Sequence, residues 1–261
     1  MNDSISVICP VYNSRRFILK SLDSIINQSK YPYELIIVDD GSDDDTYNFL
    51  KEYLGKLNLK FTYKIFREKH KGPGAARNKG VREARGKWIS FIDSDDIWSK
   101  DKISEMKKII RLNDSTNFIC HNEVFVSLNG EKKKLDYFSK YEPTESLVKQ
   151  LFNQNLFSTS AVTCKKRLFD EIGYFDEKLL SSQDYDLWLK FSKNINLHFS
   201  KKFLGFYIQR SGNISSGNWF FRLKNEIIII NRYRFFVNKN IVFKRLLILI
   251  TASLYNLLKR L

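Results

Sequence analysis

Asp93-Ser94-Asp95-Asp96 places three carboxylates within four residues, directly after the apolar run Trp88 to Ile92. Carboxylates that close repel one another unless a positive charge lies between them. An Asp-x-Asp pair delivered by a strand presents hard oxygen ligands at a sheet edge, which suits Mg²⁺ or Mn²⁺ shared with substrate phosphates. The same four residues would also serve as a solvated acidic turn leading into the next helix, so the rest of the chain has to separate the two readings.

Three other segments carry reactive residue types at corresponding places. The β-branched run Ile5 to Cys9 exits into Pro10-Val11-Tyr12-Asn13, and the buried-strand run Leu35 to Val38 exits into Asp39-Asp40-Gly41-Ser42. The alternating segment Phe61 to Phe66 is followed by Gly72-Pro73-Gly74-Ala75-Ala76-Arg77-Asn78. Helical stripes separate these strands at Phe17 to Ile26, Thr46 to Leu54 and Gly74 to Ala84, with Asp43, Asp44 and Asp45 at the start of the second. A β-α-β-α order predicts a doubly wound, mostly parallel α/β sheet, in which ligands bind beyond the carboxyl ends of the strands. All four segments then fall on one rim. Taken singly, Tyr12 reads as a half-buried strand end, Asp39 to Asp45 as a turn and cap, and Arg77 as a surface residue; their coincidence in order favours a nucleotide site.

Beyond Asp96 the sequence predicts an amphipathic helix over Lys100 to Leu112 and a hairpin at Phe118 to Leu128 with Asn129-Gly130 at its turn. Short helices follow at Thr144 to Phe152, Lys166 to Ile172 and Tyr185 to Phe191, with strands at Leu197 to Phe199 and Phe203 to Ile208. No GxGxxG and no GxxxxGK[ST] occurs, which removes the main support for dinucleotide and P-loop readings. The 261 residues are 43% hydrophobic and 15% aromatic, a folded composition rather than a disordered one. Three well-separated cysteines, without zinc-ligand spacing, predict reduced structural thiols, and the N-terminus lacks a secretory pattern, so a cytoplasmic setting is expected.

The motifs Cys9-Pro10-Val11-Tyr12-Asn13, Val38-Asp39-Asp40-Gly41-Ser42, Gly74-Ala75-Ala76-Arg77-Asn78 and Asp93-Ser94-Asp95 resemble, in joint order and spacing, the family 2 glycosyltransferases of the GT-A fold. That resemblance covers roughly residues 5 to 215 and implies a catalytic domain over 1–215. It implies a nucleoside pocket lined by Pro10 and Tyr12, with Asp39 and Asp40 on the donor side and Asp40 bonding the base, usually uracil. Arg77 and Asp93 would face the ribose and diphosphate, and Asp93 and Asp95 would hold the Mn²⁺ or Mg²⁺. In Ser181-Ser182-Gln183-Asp184-Tyr185-Asp186, Gln183 stands where the family usually has Glu, which leaves Asp184 as the implied catalytic base and Asp186 as its competitor. The activity implied is inverting transfer of one sugar from a nucleotide-diphosphate donor to a hydroxyl of a growing, lipid-linked surface glycan. The processive Gln-x-x-Arg-Trp signature is missing.

Phe206 to Ser215 is similar to the family's Tyr-Arg-x-His-x-x-x-x-Ser loop with two departures: Ile208 replaces Arg, and Arg210 replaces the His that often completes the metal shell. A guanidinium has no lone pair to offer a metal. Arg210 is therefore expected to clamp diphosphate instead. His70, His121 and His198 are expected to be structural or surface residues.

The net charge of +15 calls for an anionic partner. Lys201 to Leu261 holds twelve Lys/Arg against the single acid Glu226, whereas the acidic clusters lie in the first 100 residues, so the charge belongs to the tail and nucleic acid is not the expected partner. In the extension 216–261, the thirteen uncharged residues Leu246 to Leu258 make a helix of roughly 20 Å, too short to cross a bilayer. Flanked by basic pairs, that helix reads as peripheral on the anionic inner face of the cell membrane, with a core or dimer helix as the other possibility. Two rivals remain. A sugar nucleotidyltransferase would carry a Gly-rich loop after the first strand, and Pro10 to Arg16 has no glycine. A basic membrane or nucleic-acid module would leave the ring of carboxylates unexplained.

Overall fold

The computed structural model describes residues 3–179, 181–210 and 219–258. A mixed nine-stranded sheet forms its centre, and the strands nearest the motifs are the most deeply buried. β1 (Ile5–Val11) lies between β2 (Glu34–Asp39) and β4 (Trp88–Phe91), parallel to both, with β3 (Thr62–Arg67) parallel on the far side of β2. Every residue of β1, β2 and β4 is buried, as expected of parallel strands covered on both faces. Successive side chains alternate between two cores: Ile8, Ile36, Val38 and Phe91 enter one, while Val7, Cys9, Leu35 and Ile37 enter the other. The helices α1 (Ile18–Ile26), α2 (Thr46–Gly55) and α3 (Pro73–Glu83) connect these strands. The Asp44 carboxylate accepts the Thr46 amide at the start of α2, so the acidic run does cap that helix.

The second half adds an antiparallel portion to the same sheet. The full order is β3-β2-β1-β4-β8-β6-β9-β5, with β7 (Lys132–Leu135) paired to β6 (Phe118–Val126). The expected hairpin is present, and Gly130 turns it at φ 84°. Two sequence readings need correction. β8 (Val162–Lys165) was not expected, yet it inserts antiparallel beside β4 and joins the two halves. The two segments at Leu197 to Phe199 and Phe203 to Ile208 form one strand, β9 (Leu197–Ile208), which runs parallel to β6 through register shifts at Asn122. Its lysine pair Lys201-Lys202 is exposed at that irregularity, which accounts for the apparent break in apolar pattern. Short β5 (Ile97–Trp98) then pairs with β9 directly after the acidic cluster.

Around this sheet lie α4 (Lys102–Leu112), α5 (Leu147–Asn153), α6 (Arg167–Ile172) and α7 (Gln183–Phe191). The C-terminal region forms α8 (Trp219–Tyr233) and α9 (Lys239–Leu258), longer than the uncharged run alone suggests. Ile229, Ile230, Tyr233 and Leu249 enter the larger core. Asp186, fully buried in α7, fastens α8 by accepting Arg232 Nη1 at 2.5 Å and Tyr233 O–H at 3.2 Å. No helix among the described residues is long and apolar enough to cross a membrane. All three cysteines are buried and free.

Candidate functional site

Beyond the carboxyl end of β4, the acidic cluster separates into two roles. Asp96 is a structural pin: its carboxylate accepts Ser160 Oγ at 2.5 Å and the Ile208 amide at 3.1 Å, tying the loop to β9. Burial, reinforced by the Glu123, Asp93 and Asp95 charges, pushes its carboxyl well above the usual range. Asp93 and Asp95 are therefore the two more open acids, set on a buried third.

The sequence reading missed Ser160, which organises the loop. Its hydroxyl binds both Asp96 and the Asp93 amide, the latter at 3.0 Å. Its carbonyl accepts Trp98 Nε1 at 3.1 Å and the fully buried ammonium of Lys102 at 2.7 Å. Lys102 Nζ also lies 3.7 Å from the centre of the Trp98 ring, and burial drives its pKa well down. From the other side, Ser21 Oγ donates to the Ser94 and Asp96 carbonyls, and Ser14 and Ser94 share a hydroxyl contact at 2.9 Å. A lone serine after an unrecognised loop gives no sequence signal; only the unexpected β8 brings it here.

Each open acid meets an arginine. Arg77 Nη2 donates to Asp93 Oδ1 at 2.6 Å, and Arg210 Nε donates to Asp95 Oδ2 at 2.5 Å. Arg77 is placed by the first turn of α3 and lies buried beside the Phe175 ring, whereas Arg210 follows β9 and covers Phe17. Arg77 Nε is buried and has no hydrogen-bond partner among the described residues. Burial raises the Asp95 pKa, the Asp93 charge adds to it, and Arg210 opposes both. The remainder of the loop expected at Ser211 to Ser215 lies outside the described residues.

Asp184 joins this cluster from α7, where it is the second residue. It is half-buried, with Oδ2 accepting Thr159 Oγ1 and Asn155 Nδ2 at 3.3 Å each. Burial raises its pKa, Arg77 opposes that shift, and the Asp93 charge adds to it. A carboxylate of raised pKa is a better proton acceptor. Asp186, its competitor in the sequence, is committed to Arg232 and Tyr233 and points into the core.

The neighbouring rim has an aromatic character. Tyr12, exposed at the end of β1, stacks on His70 with ring centres 4.2 Å apart. His70 Nδ1 is 2.9 Å from Asp40 Oδ2, and the Asp40 carboxylate also accepts the Lys71 and Gly72 amides at 2.8 Å. His70 is exposed, as expected of a surface residue, and its ring covers Tyr12 at this rim. Gly41 is required at the base of this pocket: its φ is 75°, and a Cβ would come within 2.8 Å of the His70 amide. Asp39 is fully buried and spends its carboxylate on the Ser42 amide and hydroxyl, with Arg67 at 3.6 Å. Pro10, in the body of β1, is buried as well.

Among the described residues, no group of three or more His, Cys, Asp or Glu side chains is arranged to hold a metal. Asp93 and Asp95 nevertheless feel each other's charge and offer hard oxygens. Two such carboxylates fit a Mg²⁺-type ion that takes its remaining ligands from phosphates and water.

The family model described as "Glycosyl transferase family 2" matches residues 6–173. The chain belongs to glycosyltransferase family 2. A Rickettsia conorii protein named as an uncharacterized glycosyltransferase is 35% identical over 205 residues, covering 74% of this chain and 31% of the relative. The amylovoran biosynthesis glycosyltransferase AmsB of Erwinia amylovora is 33% identical over 197 residues, covering 73% of this chain and 64% of AmsB. The chain thus spans about a third of the first Rickettsia relative and under two thirds of AmsB. S. aureus TarS 1–349 in complex with UDP-GlcNAc superposes with a TM-score of 0.69 at 25% identity, covering 87% of this chain and 66% of TarS 1–349. The α/β fold is of the GT-A type, as the motifs implied.

Ser160→Ala removes the donor to buried Asp96 and the acceptor of the Asp93 amide, so a loss of roughly 1–3 kcal/mol of stability is expected. Urea denaturation measures it. Weaker UDP binding should accompany it, because the loop loses its anchor; unchanged stability and unchanged binding would contradict the role of Ser160.

Proposed function

We propose that residues 1–215 form an inverting glycosyltransferase that moves a single sugar from a nucleotide-diphosphate donor, UDP-linked by preference, to a hydroxyl of a growing cell-surface glycan. The observation that carries this is the Asp184 carboxylate lying in one electrostatic cluster with the Arg77–Asp93 and Arg210–Asp95 pairs at the sheet edge. Membership in family 2, the UDP-GlcNAc complex of TarS and the polysaccharide role in the name of AmsB support the donor and product classes.

The base stacks on the face of the Tyr12–His70 pair, and Asp40, held in place by two amides, offers its remaining lone pairs to the base N–H. The shape of that slot depends on Pro10 and Asp39 behind it. Arg77 and Arg210 turn from their carboxylates toward the diphosphate, a switch between anions that leaves neither guanidinium unpaired. Asp93 and Asp95 would hold a Mn²⁺ or Mg²⁺ ion, which would supply neutralising positive charge to the diphosphate. Asp184 accepts the proton of the acceptor hydroxyl as that oxygen bonds to the anomeric carbon. The carbon–oxygen bond to the phosphate breaks on the opposite face, so the anomeric configuration inverts and the nucleoside diphosphate leaves with the bonding pair. Asp184→Asn keeps the shape and removes the base: transfer should fall by about 10²–10⁴-fold while UDP affinity stays within a factor of two or three. Transfer rates near wild type would sink the assignment of Asp184.

The acceptor side carries a membrane reading. Phe243, Leu247 and Ile250 lie at i, i+4 and i+7 on the outward face of α9, and Phe235 just before it is 81% exposed. Arg234, Lys239 and Lys244 are exposed around them, and the acid Glu226 is already paired with Arg245 at 2.9 Å. An apolar strip bordered by cations fits the surface of an anionic leaflet, which would bring a lipid-linked acceptor to the catalytic domain. The three free, buried thiols suit the reducing, cytoplasmic side. Phe235→Ser with Phe243→Ser should abolish co-sedimentation with phosphatidylglycerol vesicles. Undiminished vesicle binding by this variant, or a dimer that it alone disrupts, would assign the strip elsewhere.

A further inference from the structure

The opposite end of the sheet carries a second concentration of charge, of the other sign. Arg85, Gly86 and Lys87 lead into β4, and Lys165, Lys166 and Arg167 leave β8, which runs antiparallel beside it with Trp88 paired to Lys165. The two basic tripeptides are therefore brought together by strand register alone. They line a pocket of about 450 Å³ floored by Trp88, and no carboxylate lies in its wall.

Backbone and side-chain bonds fix the shape of this pocket. The Lys166 amide donates to the Lys87 carbonyl at 2.8 Å, and Lys166 Nζ donates to the Ala84 carbonyl at 2.6 Å. Gly86 passes so close to Ser6 that a Cβ would lie 2.6 Å from its hydroxyl, so the first arm cannot swing outward. Lys165 Nζ sits over Trp88 at 5.5 Å and donates to the Asp114 carbonyl. Glu34, the acid behind the first arm, is occupied by Ser6 Oγ and the Arg85 amide. Arg85, Lys165, Lys166 and Arg167 form no ion pair among the described residues. Burial, and then the charge of Arg167, pull the Lys165 pKa down, with Asp114 only partly offsetting them. Cations held this close repel one another, and an anion bound among them relieves that repulsion.

We infer that this pocket binds a phosphate-bearing ligand, at a site separate from the catalytic rim. Arg85 and Arg167 present planar forks suited to bidentate phosphate contacts, and Lys165 adds a point charge above an aromatic floor. The volume admits more than one phosphate group. Trp88 and Asp93 stand at opposite ends of β4 and its exit, roughly 16 Å apart at strand rise, too far for one diphosphate to reach both. The inference does not depend on the sugar-transfer reading, since it rests on different residues. The phosphate belongs either to a lipid headgroup or to a soluble polyanion, and the two sources share the same chemistry here.

Isothermal titration of the full chain with inorganic pyrophosphate, in saturating UDP to fill the catalytic rim, tests the site. A UDP-insensitive binding event is expected, weakened at least tenfold by Arg85→Ala with Arg167→Ala, two exposed residues whose loss should leave the fold and sugar transfer intact. Lys165→Gln alone should weaken it as well, in case the double variant misfolds. Pyrophosphate binding that UDP abolishes completely, or that all these variants retain, would overturn the inference. Co-sedimentation with phosphatidylglycerol vesicles then separates the sources: weaker sedimentation of the double variant than of wild type supports a headgroup, and sedimentation equal to wild type, carried by the α9 strip, supports a soluble phosphate ligand.

Discussion

Two arginine–aspartate pairs, Arg77–Asp93 and Arg210–Asp95, let this sheet edge exist. Without them the two open acids, set above the buried Asp96, would place like charges in a poorly solvated corner, where each raises the cost of ionising the next. Breaking a half-buried pair strands the remaining charge, so both partners are held in place until another ion substitutes. The arginines come from distant parts of the chain, one from the start of α3 and one from the end of β9. Both halves of the sheet must therefore be assembled before the site is electrically balanced.

Behind the pairs, a buried polar scaffold holds the loop to the second half of the sheet. Ser160 links Asp93, Asp96, Trp98 and Lys102 through one hydroxyl and one carbonyl. Such a network is costly when incomplete, which makes it a specifying device: the acids face the rim in only one arrangement. Asp186 plays the same part for the C-terminal helices, with Arg232 and Tyr233 as its partners. Rigid acids at the rim and a fixed C-terminal layer place Asp184 against a charge cluster that it does not itself have to organise.

The parallel half of the fold was legible because its strands are continuous apolar runs separated by helical stripes, and local pattern suffices there. The four strand-end motifs followed from that order. The antiparallel half was harder to read. β8 is four residues long, and β9 carries exposed lysines at its irregularity, so neither has a clean period. Ser160 and Lys102 escaped for the same reason, since each acquires its partners through contacts across the chain. The buried role of Asp96 depends on the Ile208 amide, 112 residues away, and on Ser160, neither of which local pattern connects to it.

The pairing has a direct consequence for metal binding. With Asp95 engaged by Arg210 and Asp93 by Arg77, a divalent ion arriving alone must displace two guanidiniums and finds no third protein ligand among the described residues. A bound diphosphate would draw the arginines away and add oxygens of its own. Calorimetric titration of Mn²⁺ into the protein, with and without saturating UDP, separates these cases. Binding is expected to be at least tenfold tighter with UDP present; equally tight Mn²⁺ binding to the nucleotide-free protein would show that the arginine pairs do not control the site.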